Sequence, residues 1–319
     1  MKAAVYSNPG GPDVLHYKTI PDPSCPRDGV VIRVEAISVE GGDLINRAAT
    51  TPPSSDHVLG YAAAGEIIAV GPDVQDRFVG QKVTSFDMGG SHAALRAVKA
   101  SRTWLVPPAL DMTAAAALPI SFGTAFHSLV TQGGLAEGET VLIQGGAGGV
   151  GVAAIQLAYR VGATVIATVS GPDRADGLAR LGLTLAIDHR KTDVPEEVLR
   201  LTGGRGVDLV VDSVGSTLKA SLAALRSEGR LIFVGNAGRS SLDLDLWPAL
   251  QANQTLMGVF MGTQFEKPEV HQTVTRTLER AAAGELQVLI NRTFALAEAA
   301  AAHAYAERGS VLGRIVLLP

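Results

Sequence analysis

Val141-Leu-Ile-Gln-Gly-Gly-Ala-Gly-Gly-Val-Gly151 is the stretch that decides the fold. An apolar run short enough for a buried strand breaks into glycines at Gly145, Gly146, Gly148, Gly149 and Gly151 and then enters an apolar helix, Val152-Ala-Ala-Ile-Gln-Leu-Ala158. Gly146, Gly148 and Gly151 satisfy G-x-G-x-x-G, the turn that lets a dinucleotide pyrophosphate approach backbone N–H groups at a helix N-terminus. Such a density of glycine costs backbone entropy and is explained by a ligand that must come close to the chain. The preceding strand and following helix supply the context that separates this motif from a flexible loop. Gly146, Gly148, Gly149, Val150 and Gly151 are therefore the expected phosphate cradle.

Composition limits the alternatives. The chain has 319 residues, 46% hydrophobic and 18% charged, enough for two domains with sizeable cores. A net charge of -4 leaves no electrostatic footprint for nucleic acid or an anionic membrane. Cys25 is the single cysteine, so no internal disulfide forms. No signal-peptide pattern opens the chain and no segment reads as long and apolar enough to span a bilayer, so a soluble, cytoplasmic protein is expected.

Outward from the glycines the texture differs on the two sides. Residues 1 to about 110 read as short strands punctuated by Gly and Pro, at 2–7, 30–39, 63–70, 82–86 and 93–98, with little helical periodicity. From residue 140 strand and helix alternate, with strands at 140–144, 164–169, 185–188, 208–212, 230–234 and 255–261 and helices beginning near 149, 173, 194, 216 and 245. This predicts an α/β, doubly wound parallel sheet, because parallel neighbours need a covering crossover. Helices at 268–283 and 297–306 and a strand at 313–318 do not continue the alternation and are expected to return to the first domain. A helix at 112–130 would bridge the two domains, with the ligand site in the cleft between them.

The second strand of the alternating half ends Thr168-Val169-Ser170-Gly171-Pro172, without the acid that takes the ribose hydroxyls in an NAD site. Arg174 follows it, and His189-Arg190-Lys191 follows the third strand. Ser170, Arg174 and His189 suit a 2′-phosphate, which a carboxylate would repel, so NADPH is expected over NADH. Asp173, just after Pro172, reads as a first-turn residue facing the helix dipole.

Nearly the whole chain resembles the zinc-independent quinone oxidoreductases, the zeta-crystallin-like group of the medium-chain dehydrogenase/reductase superfamily. The landmarks are Lys2-Ala-Ala-Val-Tyr6 with Gly10-Gly-Pro12, Gly65-Glu-Ile-Ile-Ala-Val-Gly71, Leu118-Pro-Ile-Ser-Phe-Gly-Thr-Ala125 and the glycine turn. Asp212-Ser-Val-Gly215, Phe233-Val-Gly-Asn236 and Gly313-Arg-Ile-Val316 complete the set in the same order. The resemblance implies a β-rich GroES-like barrel domain built from both chain ends, residues 1–120 and 265–319, beside a Rossmann domain at 121–264. Where zinc-using relatives place Cys and a His-Glu pair, this chain has Glu40 and Tyr61-Ala62, so no metal is expected.

Without a metal the acceptor would be a quinone or a conjugated carbonyl, which needs no strong Lewis acid. The resemblance places Thr124 beside the nicotinamide, with His127 one helical turn on, and puts Asp43 and Tyr61 on the substrate side, so that Asp43, Tyr61 and Thr124 form the catalytic set. It further implies cofactor contacts by Glu40, Asn236, Phe260 and Arg314, with Arg314 near the phosphates. Glu40 and Ile45 depart from the family's Asn and Tyr, and the loss of the aromatic removes a stacking surface for a planar quinone. Pairing into a homodimer through the edge strand at 255–261 also follows from the resemblance. The competing readings are an NADPH-dependent enone or enoyl reductase and a non-catalytic NADPH-binding redox sensor.

Overall fold

The computed structural model describes residues 1–309 and 311–319, which divide into two compact units, Met1–Ile120 with Gly262–Pro319 and Ser121–Met261. The chain begins with β1 (Lys2–Tyr6), β2 (His16–Thr19) and β3 (Gly29–Val39), then α1 (Gly41–Ala49) and the strands β4 (His57–Val58), β5 (Ala62–Val70), β6 (Lys82–Phe86), β7 (Leu95–Lys99) and β8 (Thr103–Leu105). The middle runs α2 (Met112–Phe126), β9 (Thr140–Gln144), α3 (Gly149–Val161), β10 (Thr164–Val169), α4 (Pro172–Ala179), β11 (Leu185–Asp188), α5 (Val194–Leu201), β12 (Val207–Asp212), α6 (Leu218–Ala224), β13 (Leu225–Phe233), α7 (Trp247–Gln251) and β14 (Thr255–Gly258). The last part adds α8 (Pro268–Ala282), β15 (Ile290–Ala295), α9 (Ala299–Glu307) and β16 (Arg314–Leu318).

The middle unit is the expected doubly wound sheet, entirely parallel, in the order β11-β10-β9-β12-β13-β14. Every residue of β12 is buried, the pattern of a strand covered on both faces. Leu142, Ile166, Val198, Val210, Leu222 and Leu231 form the core between this sheet and α5 and α6. Local chemistry agrees with the packing: Asp193 caps α5 by accepting the Glu196 N–H at 3.0 Å, and Gly162 ends α3 at φ +87°.

The unit made from both chain ends carries a sheet ordered β15-β16-β3-β5-β6-β8, with β7 also on β3, and a small sheet β2-β1-β4. Its core joins Val30, Ile32, Ile37 and Ile67 to Leu296, Ile315 and Leu317. Polar bonds tie the same two segments: Arg47 Nη2 donates to Glu307 at 2.6 Å, and the Nε2 atoms of His92 and His303 lie 3.1 Å apart, all four residues except Glu307 being buried.

Three sequence expectations are corrected. The first segment holds a helix, α1, where none was expected, because Glu40-Gly-Gly reads as a turn. Strands β2, β4, β8 and β15 were not expected either; the side chains of β2 and β15 are exposed or half-buried with no clean apolar alternation, and β4 and β8 are only two and three residues long. Finally, Met112–Gln132 is long and apolar enough to cross a membrane by length and composition, although most of its apolar stretch is buried inside the protein. That helix widens into a π-helical turn over His127–Gln132.

Candidate active site

In the middle unit, three glycines of the turn after β9 have three different reasons to lack a side chain. A Cβ on Gly146 would come within 2.8 Å of the Ala167 Cβ, so this glycine lets α3 approach β10. A Cβ on Gly151 would lie 2.4 Å from the Gly145 carbonyl oxygen, which closes the turn on itself. At Gly148 the only neighbour is the Gly145 oxygen at 3.5 Å, so the space above it is open, as a ligand cradle requires.

The N–H groups divide accordingly. Gly145 donates to Thr168 Oγ1 and Gly146 to the Thr168 carbonyl, both at 2.9 Å, and Gly148 donates back to Gly145 at 3.1 Å. The first intrahelical bond of α3 is Val152 N–H to Gly148, at 2.8 Å. Gly149, Val150 and Gly151 are therefore left with N–H groups that have no intrahelical acceptor, at the positive end of the helix dipole. Of the expected cradle, these three can hold an anion, whereas Gly146 acts through shape.

At the end of β10 the Arg174 guanidinium donates to the Ser170 hydroxyl, which joins two of the expected 2′-phosphate ligands. His189 is exposed in the turn after β11, its N–H donating to Val169 at 3.2 Å. Asn236 donates its amide to the Ser240 carbonyl at 2.9 Å, while its buried Oδ1 has no hydrogen-bond partner among the described residues. Gly215, at φ +81°, makes room for it, since a Cβ there would stand 2.6 Å from that oxygen. Thr124 and His127 are both buried on the same helix. The Thr124 hydroxyl bonds to no other described residue, so the helical back-bond that Thr202 makes to Val198 at 2.8 Å has no counterpart at Thr124. Phe260 lies just after β14 and is 61% exposed. An open glycine cradle, a serine–arginine pair and an orphaned buried acceptor together fit a phosphorylated dinucleotide.

In the unit built from both ends, the β3–α1 junction gathers Glu40, Asp43 and Arg314. Glu40 is buried and takes the Ser38 hydroxyl at 2.7 Å and the Arg314 guanidinium at 2.5 Å, and Arg314 also donates to the Val39 carbonyl. The Arg314 charge is thus answered by a carboxylate of its own chain, where the resemblance had implied a phosphate. Asp43 is fully buried and accepts the Glu40 N–H at 2.8 Å, holding the first turn of α1. Its other oxygen meets no hydrogen-bond donor in full bonding geometry among the described residues, and burial, with Glu40 beside it, pushes its carboxyl up to about 8 despite the Glu40 and Tyr61 backbone N–H groups.

Tyr61 stands against this helix start. A Cβ on Gly42 would lie 2.2 Å from the Tyr61 ring, so only glycine lets α1 and the ring meet. Asn46 donates to the Tyr61 oxygen at 2.8 Å, which leaves the phenolic proton free to be given elsewhere. Burial, then Asp43, pushes that phenol up to about 12, so it stays protonated. The ring meets Phe86 edge-on at 6.0 Å, and Arg96, fully buried, donates to the Tyr61 carbonyl at 2.7 Å.

The donor set does not fit zinc. Glu40 is committed to Arg314, Tyr61 is a protonated phenol, and no group of three metal-ligating side chains gathers among the described residues.

Sequence reasoning missed Arg96 and Asn46, which position Tyr61, and Gln144, Thr168, Asp212 and Ser221, which lie beneath the cradle. The signal for the last group was available: Gln144, Thr168 and Asp212 are polar residues at the C-terminal ends of strands that are otherwise apolar.

The chain matches two family models, the alcohol dehydrogenase GroES-like domain over residues 26–108 and the zinc-binding dehydrogenase over residues 149–279. It is 34% identical to a 2-haloacrylate reductase of a Burkholderia species, across 99% of this chain and 98% of that one. It is 32% identical to a quinone oxidoreductase of Pseudomonas aeruginosa, over 97% of each chain. Among solved structures, mycobacterial Rv1454c complexed with NADPH superposes with a TM-score of 0.95 at 30% identity, covering 100% of both chains.

Proposed function

Since the chain belongs to the zinc-independent, quinone oxidoreductase-like branch of the medium-chain dehydrogenase/reductase superfamily, we propose that it is an NADPH-dependent reductase that passes hydride to a quinone. The observation that carries this reading is the open cradle at Gly148, with three unspent N–H groups beyond it and Arg174 held on Ser170 where an NAD site would place an acid.

When bound, NADPH supplies the hydride. Gly149, Val150 and Gly151 would take the pyrophosphate, and Ser170, Arg174 and His189 the 2′-phosphate. Thr124 and Asn236 would hold the nicotinamide end, with the Asn236 Oδ1 free to accept a hydrogen bond from it. Tyr61 gives a hydrogen bond to the acceptor oxygen as negative charge grows there, and its raised pKa keeps it a donor and not a base. Asp43 acts as a positioning residue in this scheme, because its carboxyl is enclosed and spent on the start of α1. Glu40 and Arg314 hold that same junction in place.

A second reading, reduction of a conjugated carbon–carbon double bond, is favoured by the 2-haloacrylate reductase similarity and by Ile45, which offers no ring to stack on a quinone. A panel of quinones, enones and 2-haloacrylates, followed by loss of NADPH absorbance, distinguishes the two. Tyr61→Phe should lower turnover of the true substrate by about tenfold or more. Tight NADPH binding with no turnover on any acceptor would favour the redox-sensor reading instead.

Pairing of two copies through β14 belongs to the same proposal. This strand ends its sheet, and Trp247, Leu250, Leu256 and Phe260 near it are exposed apolar side chains. Leu256→Glu should convert a dimer into a monomer by light scattering; an unchanged mass would place the contact elsewhere.

A further inference from the structure

Beneath the cradle, five residues form one continuous hydrogen-bonded chain across three strands. The Gly145 N–H donates to Thr168 Oγ1 at 2.9 Å, and Thr168 donates to Gln144 Oε1 at 3.0 Å. Gln144 Nε2 donates to Ser221 Oγ at 3.1 Å, and Ser221 donates to Asp212 Oδ2 at 2.7 Å. All donors point one way. A backbone N–H can only donate and a carboxylate can only accept, so the two ends fix both hydroxyl protons and the orientation of the Gln144 amide.

The receiving end is a fully buried carboxylate with no ion-pair partner among the described residues. Asp212 is held by the Val214 and Gly215 N–H groups, both at 2.9 Å, and by Thr217 and Ser221 hydroxyls, both at 2.7 Å. A buried charge answered only by hydrogen bonds is costly to disturb, and it polarises the donors lined up on it. The chain therefore joins three loop ends. One is the glycine turn, the second is the β10 end that leads to Ser170 and Arg174, and the third is the β12 loop, whose Gly215 sits against Asn236.

We propose that Asp212 and Gln144 are positioning residues for the dinucleotide, which set the spacing between its phosphate and nicotinamide ends through this one-way chain. The inference rests on the NADPH reading above. It predicts a pattern that loss of packing would not produce. In Asp212→Asn the new amide donates to Ser221, the chain reverses, and two donors converge on Thr168, whose own proton is stranded. In Gln144→Glu two carboxylates face Ser221. In the double variant Q144E/D212N, Ser221 accepts from Asn and donates to Glu, and Glu still accepts from Thr168, so a consistent chain returns with its charge moved.

The test is NADPH affinity by direct titration on full-length protein, with the melting temperature of each ligand-free variant measured alongside. Each single variant should bind NADPH about tenfold more weakly and the double variant within about twofold of wild type, a coupling that independent sites do not give. Singles that bind like wild type, whatever their melting temperature, overturn the inference, as does a double variant at least as weak as the worse single. Failure of the wild type itself to bind NADPH would instead overturn the cofactor reading.

Discussion

Arg314 and Glu40 stand 2.5 Å apart across 274 residues of sequence, and their ion pair is almost wholly removed from water. The Glu40 carboxylate takes the place that the family gives to a neutral side chain, so its charge has to be answered inside the protein. Arg314→Leu should therefore destabilise the fold by about 3–5 kcal/mol, because it strands a buried carboxylate. The double variant E40Q/R314L should recover most of that loss. Urea unfolding of the three proteins checks it, and a loss below about 1 kcal/mol in Arg314→Leu would mean the pair is idle.

Asp43 makes stability depend on pH. Its folded-state pKa is raised from 3.8 to about 8 by burial, so between those values the folded chain holds a proton that the unfolded chain releases. The contribution from this group is present at acid pH and lost as pH rises through about 8. Asp43→Asn keeps an oxygen for the Glu40 N–H and removes the titration. Urea midpoints of wild type should fall relative to Asp43→Asn on going from mildly acid to mildly alkaline buffer; parallel curves would refute the burial argument.

The two glycines of the turn should separate binding from folding. Gly148→Val points into open space, so it should weaken NADPH binding at least tenfold with little change in melting temperature. Gly151→Ala drives its Cβ against the Gly145 carbonyl, and should cost about 1–3 kcal/mol of stability. Calorimetric melting and NADPH titration on both variants decide, and the reverse pattern would move the cradle away from Gly148.

Arg174→Asp should raise KM for NADPH much more than for NADH, since it sets a carboxylate where a 2′-phosphate would sit. Steady-state kinetics with both coenzymes on the best acceptor measures it. Equal changes would remove Arg174 from the phosphate site.

What could be read from sequence was what is local. The β9 strand, its glycines and α3 lie within one stretch, and each element from β9 to β14 carries its own apolar run and turn. Helix α1 was hidden because its cap is an acid followed by two glycines in place of the common Ser or Thr. The candidate site divided in the same way. Cradle residues follow from a motif, but the partners of Arg314, Tyr61 and Asp212 come from distant strands, and no periodicity reports which side chains a sheet will bring together. Asp43 shows the point: the resemblance put it on the substrate side, whereas its burial and its bond from the Glu40 N–H are visible only in the fold.

The position of β16 also governs how the protein must be made. It lies between β15 and β3, so a strand that begins at Arg314 completes a sheet begun near residue 29. The middle unit is contiguous and can fold while it is being synthesised, whereas β3 has to wait with one edge partly uncovered until β16 has been made. Loss of β16 would leave that edge unsatisfied, and the expected fate of such a fragment is self-association and degradation.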